Sequence, residues 1–484
     1  MAEAGRRGNL LFLTYSAELV MTRASAIAAA HQMFDDGSLK AIFARRIAIP
    51  TESQNPARAP DLARYLTEEM QPSLESMGFT CRILTHPNAK GPFLLAERIE
   101  DPALVTVLGY GHGDVIAGLE GQWKEGRDPW TLDDTGERWY GRGVVDNKGQ
   151  HAINIEALRC VLKTRGKLGF NVRYLIEMGE EVGSAGLHDL ARDNRELFLA
   201  DILIGSDGPR MTAERPTMCL GARGGYRIDL EINARDGGHH SGNWGGLLSN
   251  PAIRLAHAIS TIIGPTGQIR VHELLPKDMP DSVKRALADI EPASIPGGPQ
   301  IDAWWGEPGF TPAEKVYGWN TFEVLAFGAG DIGNPQNAVP PSARATCQIR
   351  TVVGSEPDGF IPAIKRHLVR HGFPDVEVSS GRDAAFKATR TDPDHPWVKW
   401  AAASIAETTG KKPAVIPNAG GSLPNDVFAE IIGMPTIWVP HSYPGCSQHA
   451  PNEHVPSALV REAIGLMAGL YWDLGEGTHP KLAR

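Results

Sequence analysis

Leu104-Val105-Thr106-Val107-Leu108-Gly109-Tyr110, followed at once by Gly111-His112-Gly113-Asp114, is the stretch on which the fold reading turns. A largely apolar run between Pro102 and Gly111 suits a strand buried on both faces, because a strand with one wet face would alternate. Downstream, Gln150 to Arg165 places Ile153, Ala157, Leu158, Val161 and Leu162 at helical spacing. Asn171 to Met178 then reads as the next strand, Ser184 as an N-cap, and Ala185 to Arg192 as helix. Ile202-Leu203-Ile204 adds another short buried strand. Apolar strands alternating with helices predict an α/β catalytic domain whose mostly parallel sheet is covered by helices.

The texture changes near Gly221. Tyr226 to Ile232 alternates with period two, Ala252 to Ile263 is helical, and Ala343 to Val353 alternates again through Ala345, Cys347 and Ile349. Two helices on one face of a small antiparallel sheet fit this pattern: an inserted α+β lid or dimerisation domain, a two-layer sandwich. After Arg390 the earlier alternation resumes, with Trp397 to Thr408 helical and Pro435 to Val439 a buried strand. The expected organisation is therefore 1–220 as the first part of the catalytic domain, 221–388 as the inserted domain, and 389–484 as the second catalytic part. Residues 1–20 are expected as a disordered leader, since Arg6-Arg7 and the short apolar stretch Leu10 to Leu13 make no signal peptide.

Length and composition set the outer limits. A chain of 484 residues needs more than one core. A formal net charge of −9, with basic residues scattered and no interleaved aromatic platform, argues against a nucleic-acid partner. No segment reaches the ~20 apolar residues that cross a bilayer. Five cysteines, Cys81, Cys160, Cys219, Cys347 and Cys446, form neither an even framework nor a CxxC pair. A reducing, cytoplasmic setting is the simplest reading.

Five polar clusters carry the chemistry, each after a strand or beside a turn: GHGD at 111–114, GRGVVDNKG at 141–149, GEEVGS at 179–184, SDGP at 206–209 and SQHAPNEH at 447–454. In an open α/β sheet, ligands bind in the crevice beyond the carboxyl ends of the strands, where these clusters converge. Two imidazoles, His112 and His449, and the carboxylates of Asp146, Glu180, Glu181 and Asp207 are hard and borderline ligands suited to zinc, manganese or cobalt. That inventory serves two ions if one carboxylate is shared, holding them roughly 3.5–4 Å apart. Asp114, two residues beyond His112, suits the other ring N–H of that histidine. Adjacent Glu180 and Glu181 do not readily aim at one atom. One suits a ligand, its neighbour a general base.

Taken in order, these motifs resemble the di-zinc exopeptidases of metallopeptidase family 20: carnosinase, aminoacylase, carboxypeptidase G and succinyl-diaminopimelate desuccinylase. The resemblance runs from about residue 40 to the C-terminus and is strongest to the carnosinase-like branch. It implies that His112 and Asp207 bind one zinc, Glu181 and His449 the other, and Asp146 bridges them, with a cis peptide after Asp146. Glu180 would be the general base and Asp114 the supporting carboxylate near His112. In that branch a lid histidine from the partner subunit polarises the scissile carbonyl. His240 in Gly238-His239-His240-Ser241-Gly242 aligns with it, though Gly238 replaces the usual aspartate. Arg350 corresponds to an arginine for the substrate carboxylate, and backbone N–H groups at Gly421 and Ser422 suit that carboxylate or the oxyanion.

The implied protein is a homodimeric dipeptidase or carboxypeptidase-like hydrolase, acting on a dipeptide or N-acyl amino acid beside a free carboxylate. An N-acyl-amino-acid or other small-amide amidohydrolase shares the same catalytic residues. A metal-binding relative without turnover is the alternative from another class, which the presence of Glu180 opposes. A dinucleotide-dependent oxidoreductase is excluded, because no GxGxxG follows the early strands.

Overall fold

Eight strands of the chain assemble into one sheet in the spatial order Thr80–Leu84, Phe93–Arg98, Asn171–Glu177, Thr106–His112, Ile202–Gly205, Thr436–Trp438, Thr217–Cys219 and Ala414–Ile416. The computed structural model describes residues 21–292, 299–381, 386–421 and 423–480; the expected leader 1–20 lies outside them. The central strand Thr106–His112 runs parallel to both Asn171–Glu177 and Ile202–Gly205, and the latter is parallel to Thr436–Trp438. Antiparallel pairs sit at the Thr80–Leu84 end and at a single bridge, Trp438 to Cys219. The predicted strand is buried almost throughout, because helices cover both of its faces.

On one face lie helices Arg23–Asp35, Lys148–Arg165 and Ser457–Gly475, packed on one another through a large apolar core. Their approach is close. A Cβ at Gly111 would sit 2.5 Å from the Cβ of His151 on helix Lys148–Arg165, so only glycine permits that helix to lie so near the strand. The opposite face buries Leu108, Tyr110, Leu175 and Trp438 against helix Leu187–Asp193 and helix Asp281–Leu287. Burying each large apolar side chain there is worth roughly 1.5–3 kcal/mol.

A second sheet has four antiparallel strands in the order Thr321–Gly328, Ser342–Thr351, Gly224–Asn233 and Glu377–Ser380. Along Ser342–Thr351, Ala343, Ala345, Cys347 and Ile349 are buried under helices Pro251–Ile262 and Phe360–Arg370, as their alternation predicts. The chain enters and leaves this sheet side by side: Thr389 donates its N–H to the carbonyl of Ala222, and Thr391 donates to Leu220.

The expected span of the insertion is not one packing unit. Met279, Val283, Leu287, Ile290 and Ala313 fall between 221 and 388, yet they join the core of the large sheet. Helix Asp281–Leu287 packs beside strand Ala414–Ile416. Its apolar face, Val283 and Leu287, matches the open edge of that sheet, and this long-range match leaves no local mark in the sequence. Five free cysteines, four of them buried, agree with the absence of a disulfide framework. Among the described residues no helix is long and apolar enough to cross a membrane.

Candidate metal centre

Each polar cluster reaches the same end of the large sheet by its own element. His112 closes strand Thr106–His112, Glu180 and Glu181 follow strand Asn171–Glu177, and Asp207 follows strand Ile202–Gly205. Asp146 sits in the turn before helix Lys148–Arg165, and the Asp146–Asn147 peptide is cis, as the resemblance implied. His449 comes from the loop after strand Thr436–Trp438.

Asp146 is the common member. Its Oδ1 lies 3.1 Å from His112 Nε2, and its Oδ2 lies 2.8 Å from His449 Nε2. Asp207 Oδ2 is 3.6 Å from His112 Nε2, and Glu181 Oε2 is 3.2 Å from His449 Nε2. Two triads result, His112–Asp146–Asp207 and Asp146–Glu181–His449, each with donor atoms within 4.8 Å of one another. Either triad offers the three N/O ligands that a zinc-type cation takes from protein. Glu181 Oε1 is buried with no hydrogen-bond partner, as a ligand atom held for a cation would be. Glu180 belongs to neither triad, and its Oε2 stands 3.9 Å from His112 Nε2.

The charges give an independent sign that positive charge belongs here. Burial, then Asp207, Asp146 and Glu181, push the Glu180 carboxyl well above the usual carboxylate range, although His112 opposes them. Burial, partly offset by His112 and reinforced by Asp146, lifts Asp207 to about 6. Burial also raises Glu181. Hydrogen bonds to Asp146 and Glu181 hold His449 up at about 10. Burial works against a charged His112, yet its bonds to Asp114 and Asp146 keep its pKa well above an ordinary imidazole. Protons are thus retained to balance a carboxylate cluster in a low-dielectric site, a task that divalent cations perform better.

Asp114 does more than the sequence suggested. His112 Nδ1 lies 3.4 Å from its Oδ1 and 3.0 Å from its backbone carbonyl. The same carboxylate accepts the backbone N–H groups of Glu180 and Glu181, at 3.2 and 3.1 Å. One buried side chain therefore orients the ring of His112 and fixes the turn carrying both glutamates.

Three further residues shape the site without announcing their roles in the sequence. Glu453 accepts N–H groups of Gly143, Val145 and Asp146 and pairs with Arg142 Nη1 at 2.7 Å, clamping the Asp146 turn from a segment some 300 residues away. Gln448 donates to Asp146 Oδ2 at 2.6 Å. Both lie inside the SQHAPNEH motif at 447–454, which is the signal the sequence carries for them. Tyr317, from the segment packed on the large sheet, lines the cavity with no motif to announce it.

That cavity, about 660 Å³, is lined on one side by Asp146, Glu180, Glu181, Asp207 and His449. Gly421 lines it too; Ser422 lies outside the described residues. The other substrate candidates are not gathered here. His240 is exposed and accepts the N–H of Gly242 through Nδ1, and it does not line the cavity. Arg350 pairs with Gly225 across the small sheet, half-buried and also away from the cavity. The small sheet carries both residues away from the cavity of their own chain, as a histidine acting in the site of a partner subunit would be.

Parallel-strand ends that gather imidazoles and carboxylates around one shared aspartate define a metal-dependent hydrolase. The model of peptidase family M20/M25/M40 matches residues 108–473, and the chain belongs to that family. It is 25% identical over 404 residues to the Beta-Ala-His dipeptidase of Homo sapiens, covering 80% of this chain and 78% of that protein. Similarity to the cysteinylglycine-S-conjugate dipeptidase of Corynebacterium striatum is 29% identity over 327 residues, covering 66% and 70%. An M20 family metallo-carboxypeptidase from Sulfolobus solfataricus shares the fold, with a TM-score of 0.71 over 90% of this chain and 99% of that one, at 24% identity.

Because Asp207 holds its proton up to about 6, bound cations must displace protons from the site. Apparent affinity for Zn²⁺ or Mn²⁺ is expected to fall as pH drops below about 10, where His449 takes up its proton, and more steeply below about 6, where Asp207 does, with proton release on binding. Titration calorimetry in buffers of different ionisation enthalpy measures both. An affinity unchanged between about pH 5.5 and 7.5 would remove Asp207 from the ligand set.

Proposed function

We propose that this hydrolase is a dipeptidase or carboxypeptidase-like enzyme, with two zinc ions, manganese or cobalt being the alternatives. It cleaves an amide bond beside a free carboxylate. The observation that carries this is the pair of triads sharing Asp146, with Glu180 outside both and lining the cavity. His112 and Asp207 would hold one cation and Glu181 and His449 the other, with Asp146 common to both sets. Two divalent cations there would supply Lewis acidity for water activation and for polarising a carbonyl.

Glu180 performs the proton chemistry. It takes a proton from the attacking water and returns it to the leaving amine nitrogen, so that acid and base are one carboxyl. A carboxyl whose surroundings favour the protonated form, as those of Glu180 do, suits the second transfer. Asp114 keeps the Glu180–Glu181 turn in register with His112. The substrate carboxylate falls to Arg350, whose Nη1 is buried without an acceptor, and to the N–H of Gly421. N-acyl amino acids present the same amide and carboxylate and belong in the same assay.

His240 acts in the site of a second copy, in a homodimer formed through the small sheet. Its position away from its own cavity supports this, as does the edge strand Thr321–Gly328, which exposes Val324, Leu325 and Phe327. An open apolar edge invites pairing with another strand.

Glu180→Ala should keep its metal while kcat falls by about 10²- to 10⁴-fold, read by metal analysis beside hydrolysis of dipeptides and N-acyl amino acids. A variant as active as wild type would end the assignment of the base. His240→Ala should be inactive by itself. Mixed with Glu180→Ala under subunit exchange, it should recover roughly a quarter of wild-type activity, since half the dimers are mixed and each has one intact site. A monomer in sedimentation, or no recovery on mixing, would refute the shared site.

A further inference from the structure

Away from the carboxylates the cavity changes character. Its far wall consists of Met211, Cys219, Val316, Tyr317, Ile416 and Leu423, continuous with the apolar core on that face of the sheet. Among the described lining residues one charged side chain, Arg210, stands outside the catalytic cluster, and its charge is already balanced by Glu462. Arg210 Nη1 pairs with Glu462 at 2.6 Å, and Nε donates to the carbonyl of Pro440 at 3.1 Å. Its remaining nitrogen, Nη2, is buried with no hydrogen-bond partner. The Tyr317 hydroxyl donates only to the thioether of Met211, at 3.6 Å, and a thioether is a weak acceptor. Burial pushes the Cys219 thiol up to about 12, so it is neutral.

A charged group entering this wall would shed its hydration and meet, outside the catalytic cluster, only Arg210, whose charge Glu462 already balances, which is unfavourable. An apolar group would lose only water that the wall holds poorly. At about 660 Å³ the cavity has the size of a small-molecule site and exceeds what a scissile amide alone requires. The space beyond the amide has room for a side chain.

We propose that this wall is the enzyme's specificity surface: its substrates carry a bulky, uncharged, apolar side chain next to the scissile amide, and acidic or basic side chains are rejected. The proposal rests on the amide-hydrolase reading above. Val316 and Tyr317 come from the segment packed on the large sheet and Met211 from the loop before strand Thr217–Cys219. Specificity is thereby set by parts outside the motifs that carry the catalytic groups.

The test compares kcat/KM of the metal-loaded enzyme on two matched series, X-Gly and Gly-X, with X as Leu, Met or Phe against Asp, Glu, Lys or Arg. In at least one series the apolar members should lead by on the order of 10- to 100-fold. Met211→Lys, at a partly exposed position, should raise KM for the Leu and Phe substrates about tenfold and improve those with Asp and Glu; metal content and Tm are measured alongside. Val316→Lys is the second variant, with the same expectation. Cleavage with a flat or charge-preferring profile in both series overturns the proposal and leaves the hydrolase reading standing. No cleavage of any member, or of N-acyl amino acids, overturns the hydrolase reading and the proposal with it.

Discussion

A single carboxylate divided between two imidazoles is the constraint around which the rest of this molecule is arranged. Asp146 points one oxygen at His112 and the other at His449, whose positions in the chain are more than 300 residues apart. Neither contact would survive if the turn carrying Asp146 moved, and the fold spends several buried polar groups to hold it. Glu453 accepts three backbone N–H groups of that turn while paired to buried Arg142. Asn147, beside Asp146, donates to the carbonyl of Ser206, which ties the turn to the strand end bearing Asp207. Buried charges of this kind are costly unless paired and hydrogen-bonded. Their cost is understandable where preorganised geometry is what the site must deliver.

From this centre the sheet topology follows. Parallel strands Thr106–His112, Asn171–Glu177 and Ile202–Gly205 deliver His112, the two glutamates and Asp207 to one edge because parallel strands end on the same side. Helix Lys148–Arg165, almost wholly buried, fixes the Asp146 turn at its start. Among the described residues, the small sheet supplies no group to the cavity.

Legibility in the sequence tracked the range of the interactions involved. Thr106–His112 and Ser342–Thr351 were readable because burial imposes a period on the residues themselves: continuous apolar character in one, alternation in the other. The metal-centre residues were readable because each sits in a short polar cluster at a strand end. Asp114 was half-read: its place near His112 follows from a two-residue spacing, but its hold on the N–H groups of Glu180 and Glu181 depends on two strand ends meeting. Glu453 lies within a legible motif, but its role does not show there, because its partners lie in the Asp146 turn. The attachment of helix Asp281–Leu287 to the large sheet was invisible, and with it the wall at Val316 and Tyr317. An amphipathic helix shows that it has a partner and not which one.

The most direct measurement is metal stoichiometry with anomalous scattering at the metal edge, for wild type and for Asp146→Ala. The account predicts two cations per chain, roughly 3.5–4 Å apart, between His112 and Asp207 on one side and Glu181 and His449 on the other. Removing the shared carboxylate should empty at least one position and abolish hydrolysis. A single cation in the wild type, or an Asp146→Ala protein that keeps both cations and its activity, would contradict it.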